Sequence, residues 1–323
     1  GYFLSFAVTI SGLVQCILIF FVLKKLDYSI RLKRPKDNSK INSFIERAKP
    51  QIGTGLVLQV NILISGVIAS FAQGGISTLY YAERLYQLPL ALFGISIGTV
   101  LLPTLSSLDI KDDLQEINLI LKKSIKIALL MSIPAAIGLS MLSTPLISLI
   151  YQHGLFTELN TSVVAKTLIA FSIGLPAFVL IKIYLPIFYS LGDTENPFKY
   201  SLIAIAVNII LGIFLFPVYG VIGLAMSTSF SSWINFFLLI NSSNKLKISV
   251  FSKNFNFSLL KIIFASIFMA LSIHICSSLL FGISHFLFVI SLILIGIFIY
   301  FLILFLLGVL NKNDIRSIIN LNF

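Results

Sequence analysis

The chain has 323 residues, 58% of them hydrophobic and 11% charged, with a mean hydropathy of +1.02. A soluble domain carries about 25% charged residues, so this composition excludes an ordinary soluble protein and places the chain among integral membrane proteins. The net charge of +11 does not point to nucleic acid, because the basic residues gather in alternate loops.

A helix needs about 20 apolar residues to cross a hydrocarbon core of about 30 Å. Nine segments meet that requirement: 3–23, 50–71, 85–107, 124–144, 163–190, 200–216, 220–240, 258–281 and 286–310. A β-barrel would instead alternate over segments of about ten residues. The unbroken run "FLFVISLILIGIFIYFLILFLLGVL" favours helices. The expected fold is an all-α polytopic helix bundle with nine transmembrane helices. Residues 1–23 are one span, and 24–49 are a long basic linker. The linker's end, "NSFIERAKP", reads either as a short amphipathic helix on the inner membrane surface or as a solvated loop. Six spans follow over 50–240, then an antiparallel pair over 258–310, then a tail over 311–323.

The loop charges set an orientation. The 24–49 loop holds nine basic residues, from Lys24 to Lys49. The loop around "AQGGIST" has none, 109–123 has Lys111, Lys122 and Lys123, and "LISLIYQHGLFTELNTS" has none. "LGDTENPFK" then holds Lys199, "FPVYG" nothing, 241–257 three lysines, "GISH" nothing, and the tail Lys312 and Arg316. Basic loops belong in the cytoplasm. The chain is therefore expected to begin outside and end inside. It opens in mid-flow, without an initiator Met or a signal-peptide pattern, so an odd number of spans is expected upstream.

No catalytic constellation is present. His153, His274 and His285 lie on separate segments without ligand spacing, and Cys16 and Cys276 sit inside apolar spans. GxSxG, P-loop and HExxH motifs are absent, as are acidic residues inside the spans. The expectation is a protein with no catalytic residues, no metal site and no cofactor.

Polar residues in spans are costly and point to function. Arg84, Gln87, Ala91, Gly94 and Gly98 follow helical spacing along one stripe. Two readings stay open. One is a hydrated cavity wall, with the Arg84 fork suited to phosphate. The other is an interfacial arginine above a GxxxG packing face. Glu83, one position over, reads as a solvated surface residue. In the preceding span Gly55, Gln59, Gly66 and Ser70 approximate a stripe beside Asn61 and Ser65. Pro89 is expected to kink its helix, as a gate or as a tolerated proline. Lys182, deep within a span, either snorkels to the cytoplasmic face or pairs internally. Pro176 and Pro186 are expected to kink that span too. Asn208 and Asn235 read as interhelical hydrogen-bond partners.

Several stretches carry a specific resemblance: "QVNILISGVIAS" (59–70), "LYYAERLYQLP" (79–89), "GTVLLPTLS" (98–106), "LIYQHGLFT" (149–157) and "GLPAFVLIKIYLPIFYSLGDTENP" (174–197). In this order they resemble the MurJ (MviN) family of lipid II flippases, of the multidrug/oligosaccharidyl-lipid/polysaccharide exporter superfamily. The resemblance implies a fourteen-span fold with two six-helix lobes and an extra C-terminal pair. The nine spans here become the sixth to the fourteenth. It further implies a bacterial inner-membrane transporter working by alternating access, with lipid II and membrane lipids as its partners. The first, second, seventh and eighth spans line the family's cavity, basic residues there receive the pyrophosphate, and the last pair offers a groove for the undecaprenyl tail.

Arg84 matches the arginine of the family's "YYADRL", with Glu83 in place of Asp, and Lys182 matches the lysine of "GLPAFVLIK". The cavity residues so implied are Arg84, Gln87, Gln59, Asn61 and Ser65. Pro89, Gly94, Gly98, Lys182 and Asn208 are candidates for gating or a polar network. Two positions depart from the family: Gln87 stands where it usually has Glu, and Ser65 where it usually has Asp. Where those carboxylates bind a coupling cation or balance cavity charge, this chain lacks them. Export of another lipid-linked oligosaccharide or a drug, and a non-transporting remnant, are the alternative readings.

Overall fold

The computed structural model describes residues 2–26, 59–108, 113–246, 248, 253–279 and 284–309. The chain divides into two units, Gly1–Glu46 and Arg47–Phe323. In the first, the described residues form α1, Tyr2–Lys25. Phe6, Leu13, Leu18 and Phe21 are exposed around it, and a helix apolar on every side suits lipid. Lys24 and Lys25 occupy its last turn, where the helix end carries partial negative charge.

The described residues of the second unit are helical. They form α2 (Gln59–Ala69), α3 (Gly75–Pro89), a π-helical stretch Leu90–Ile95, α4 (Ser96–Ser106), α5 (Leu114–Met141) and α6 (Ser143–Tyr151). Then come α7 (Glu158–Ser190), α8 (Glu195–Tyr219), α9 (Val221–Lys245), α10 (Lys253–Leu279) and α11 (His285–Leu306). Eight of the described helices are long and apolar enough to cross a membrane, counting α3 to α4 as one rod from Gly75 to Ser106. The expected span over 50–71 falls partly outside the described residues, and its described part is α2. The expected linker and tail also lie outside them.

The third expected span starts ten residues early, at Gly75 rather than at 85. Tyr80, Glu83 and Arg84 lower the local hydropathy, yet nothing among them breaks a helix. Gly74 makes the turn that precedes it, with φ 68. Gly75 then brings α3 against the end of α2, since a β-carbon there would collide with the Ala69 carbonyl oxygen.

Pro89 explains the π-helical stretch. It cannot donate to the carbonyl of Leu85, and its ring crowds that carbonyl. The wider turn over Leu90–Ile95 follows directly. It also overturns the single stripe expected from helical spacing, because a π turn rotates everything after it relative to what came before. Arg84 and Ala91 stay exposed, whereas Gly94 turns inward. A β-carbon at Gly94 would lie 3.3 Å from Val179 Cα, and one at Gly98 2.6 Å from the Lys182 carbonyl oxygen. These two glycines therefore pack α4 and the π stretch closely onto α7.

The most buried span is α7, with 67% of its apolar window inside the protein. It packs against α3, α4, α5, α6 and α9. Thr157 caps its start by accepting from Asn160 N–H, and Glu158 in the first turn suits the helix N-terminus. The helix remains α-helical through both Pro176 and Pro186. Phe171, Leu175, Ile183, Tyr184 and Phe188 fill the main core around it.

The α10–α11 pair builds a second core on α5 and α6, from Leu130, Ile262, Met269, Ile273, Leu292 and Tyr300. Two lysines close its lower end. Lys126 Nζ donates to the Val309 carbonyl at 3.2 Å, and Lys261 Nζ donates to the Leu307 carbonyl at 2.7 Å. They satisfy carbonyls that the end of α11 leaves without intrahelical partners.

Candidate functional site: the exposed face of α3 and the polar cluster beside it

Arg84 lies two and a half turns into α3, and its neighbours hold it. Its Nη2 donates to Tyr80 Oη at 2.6 Å, and its guanidinium carbon stands 4.4 Å from the Tyr80 ring centroid. Its Nη1 donates to Gln87 Oε1 at 3.4 Å. Tyr80 and Gln87 are the i−4 and i+3 neighbours, so both contacts come from helical spacing alone. A guanidinium has five N–H donors, and these bonds use two. The side chain that carries the others is exposed.

Both partners are neutral. A carboxylate at position 87 would form an ion pair with Arg84, whereas the Gln87 amide accepts a hydrogen bond without adding a negative charge. Glu83 is half-buried on a different side of the helix, about 100° round. It is therefore not the fully solvated residue expected. The exposed, preoriented guanidinium suits a phosphate-type anion.

Lys182 is also exposed, and its backbone abuts Gly98. Gly98 lies fourteen positions beyond Arg84, or about 20 Å along the helix axis. The two cations therefore occupy different levels along the Gly75–Ser106 rod and do not share one site.

Asn208 joins two other predicted residues' neighbourhoods. It is buried on α8, and its Nδ2 donates to Asn61 Oδ1 on α2 at 2.9 Å. Its own Oδ1 accepts from Ser227 Oγ at 2.7 Å and from Thr228 Oγ1 at 3.4 Å, both on α9. Ser65, one turn on from Asn61, is half-buried, while Gln59 is exposed at the start of α2. Every hydrogen-bonding side chain in this cluster is neutral. Among the described residues, no three His, Cys, Asp or Glu gather into a possible metal site. Asn235 departs from the expected pairing, since its side-chain oxygen is buried without a hydrogen-bond partner.

Sequence reasoning missed Ser227 and Thr228, although the hydroxyl-rich "STSFSS" was a visible sign. It also missed the aromatic group formed by Tyr81, Tyr151 and Phe156, whose rings lie 4.7 to 6.1 Å apart. Two of its quoted stretches, "LYYAER" and "LIYQHGLF", contain them, but no spacing rule joins residues seventy positions apart.

The fold and site define a multi-span α-helical membrane protein with an exposed arginine and a buried neutral polar cluster. The sequence pattern of one protein family, Lipid II flippase MurJ, matches residues 1–298, and the chain belongs to that family. A protein of Rickettsia prowazekii (strain Madrid E), "Probable lipid II flippase MurJ", is 37% identical over 242 residues, covering 75% of this chain and 48% of that protein. The protein of the same name from Rhizobium tropici is 38% identical over 235 residues, covering 73% and 44%. The solved structure "Lipid II flippase MurJ, inward closed conformation" aligns with a TM-score of 0.72 at 33% identity, covering 90% of this chain and 59% of that one. The chain spans about half the length of the curated relatives it matches.

Proposed function

We propose that this chain works within a lipid II flippase of the bacterial inner membrane. The head group moves from the cytoplasmic to the outer leaflet by alternating access, and Arg84 contacts the pyrophosphate. The observation that carries the reading is the exposed Arg84 guanidinium, oriented by Tyr80 and Gln87 and balanced by neither. Membership of the family supplies the substrate class. Residues 1–23 serve as the last span of an N-terminal lobe and 24–49 as the cytoplasmic connection. Residues 50–240 form the C-terminal lobe, 258–310 the extra pair and 311–323 a cytoplasmic tail.

The test is complementation. Arg84→Ala in the protein is expected to insert normally yet fail to rescue cells depleted of their own flippase. Normal rescue would remove Arg84 from the mechanism. Translocation of a different lipid-linked glycan or a drug in vesicles, without translocation of lipid II, would favour the exporter reading instead.

A further inference from the structure

A recess of about 340 Å³ opens beside the N-terminal half of α3. Its lining comes from three places: Tyr81 on α3, Tyr151 at the end of α6, and His153, Leu155, Phe156 and Asn160 around the start of α7. The Tyr81 and Tyr151 ring centroids are 4.7 Å apart, and Phe156 sits edge-on to Tyr81 at 5.6 Å. The three rings rest partly on the main core, which fixes their orientation. The exposed rim mixes the polar His153 and Asn160 with the apolar Leu155.

Tyr80 stands between this recess and Arg84. The Tyr80 ring lies under the guanidinium at 4.4 Å and 6.5 Å from the Tyr81 ring. Burial and the neighbouring Tyr81 phenol push the Tyr151 hydroxyl up, and the Arg84 charge pulls it partly back. An anion held at Arg84 therefore has aromatic faces one or two side chains away.

We propose that Tyr81, Tyr151 and Phe156, with His153 and Asn160 at the rim, form a subsite for the sugar next to the pyrophosphate. The proposal rests on the flippase reading above. A sugar ring presents a face of weakly positive C–H groups and an edge of hydroxyls. An aromatic face is electron-rich and accepts such C–H groups, while imidazole and carboxamide exchange hydrogen bonds with hydroxyls. A prenyl tail would want a continuous apolar groove, and this recess has polar residues at its rim. The subsite lets the protein distinguish a glycosylated pyrophosphate lipid from a bare one, which Arg84 alone does not do.

The experiment compares lipid II with undecaprenyl pyrophosphate, each binding to the protein in lipid nanodiscs. The wild type is expected to hold lipid II more tightly. Tyr151→Ala and Phe156→Ala should weaken lipid II binding about tenfold and leave undecaprenyl pyrophosphate unchanged. Tyr151→Phe, which keeps the ring, should retain the preference. His153→Ala and Asn160→Ala alter exposed side chains outside the core, and should narrow the preference without affecting folding. Equal losses for both lipids, no loss for either, or a wild type that binds both equally would overturn the subsite and leave the flippase reading standing. A wild type that holds neither lipid would overturn the flippase reading, and the subsite with it.

Discussion

Asn208 on α8 donates to Asn61 on α2 across 147 positions of sequence, at 2.9 Å, and thereby ties the start of the lobe to its far side. Its amide oxygen accepts from Ser227 and Thr228. Asn208→Leu would leave the half-buried Asn61 acceptor without its donor, while the buried Ser227 hydroxyl would keep only the Leu224 carbonyl at 2.8 Å. The expected cost is about 1–3 kcal/mol. Thermal unfolding in detergent should show a lower midpoint, and an unchanged midpoint would mean the cluster contributes nothing to stability.

Gln87 accepts from Arg84 without adding a negative charge beside it. Gln87→Glu would place a carboxylate where the amide now accepts a bond at 3.4 Å. An exposed ion pair of this kind is worth a fraction of a kcal/mol to about 1 kcal/mol, so pyrophosphate-lipid affinity should fall roughly two- to fivefold. The loss should shrink as salt is added. Affinity that stays level would argue that Arg84 does not meet the anion.

Gly98 is held against a backbone atom rather than a pliant side chain. A β-carbon at that position would sit 2.6 Å from the Lys182 carbonyl oxygen. Gly98→Ala must push α4 away from α7, with an expected loss of about 1–3 kcal/mol. Gly66→Ala is the matched control, since nothing lies within 4 Å of its β-carbon. It should leave stability level or raise it by up to about 1 kcal/mol through helix propensity. Equal behaviour of the two variants in an unfolding assay would refute the close packing at Gly98.

Lys261 and Lys126 hold the end of α11. Lys261→Met keeps the length and apolar stem but removes the donor to Leu307, and Lys126→Met does the same for Val309. Hydrogen bonds from charged donors are worth about 1.5–3 kcal/mol. Amide hydrogen exchange should quicken over the last turns of α11, and α7 should stay as protected as before. A uniform change across both helices would point to global destabilisation instead.

Orientation can be tested separately. A tag placed at the C-terminus should be shielded from protease added outside intact spheroplasts, and a cleavage site in the turn at Gly74, just before α3, should be accessible. The opposite pattern would reverse the proposed topology.

Much of the fold was legible because lipid imposes a simple rule. A backbone in hydrocarbon must satisfy its own hydrogen bonds, so long apolar runs become helices. The runs around α5, α7, α8, α9, α10 and α11 follow that rule closely. The start of α3 was not legible, because Tyr80, Glu83 and Arg84 read as a surface segment by hydropathy and as helix by geometry. The stripe from Arg84 to Gly98 failed for a local reason: helical spacing holds only while the helix keeps its pitch, and Pro89 changes it.

The sequence by itself determined that the chain crosses the membrane many times as helices, that Arg84 and Lys182 are costly residues in those spans, and which family the chain resembles. Each of these depends on composition, period or motif within one segment. Tertiary structure alone decided that Gly94 and Gly98 serve packing, that Asn208 meets Asn61, Ser227 and Thr228, and that Tyr81 faces Tyr151 and Phe156. Those contacts join segments far apart in the chain. They depend on which helices lie side by side and how each is rotated, and no local pattern of residues encodes that.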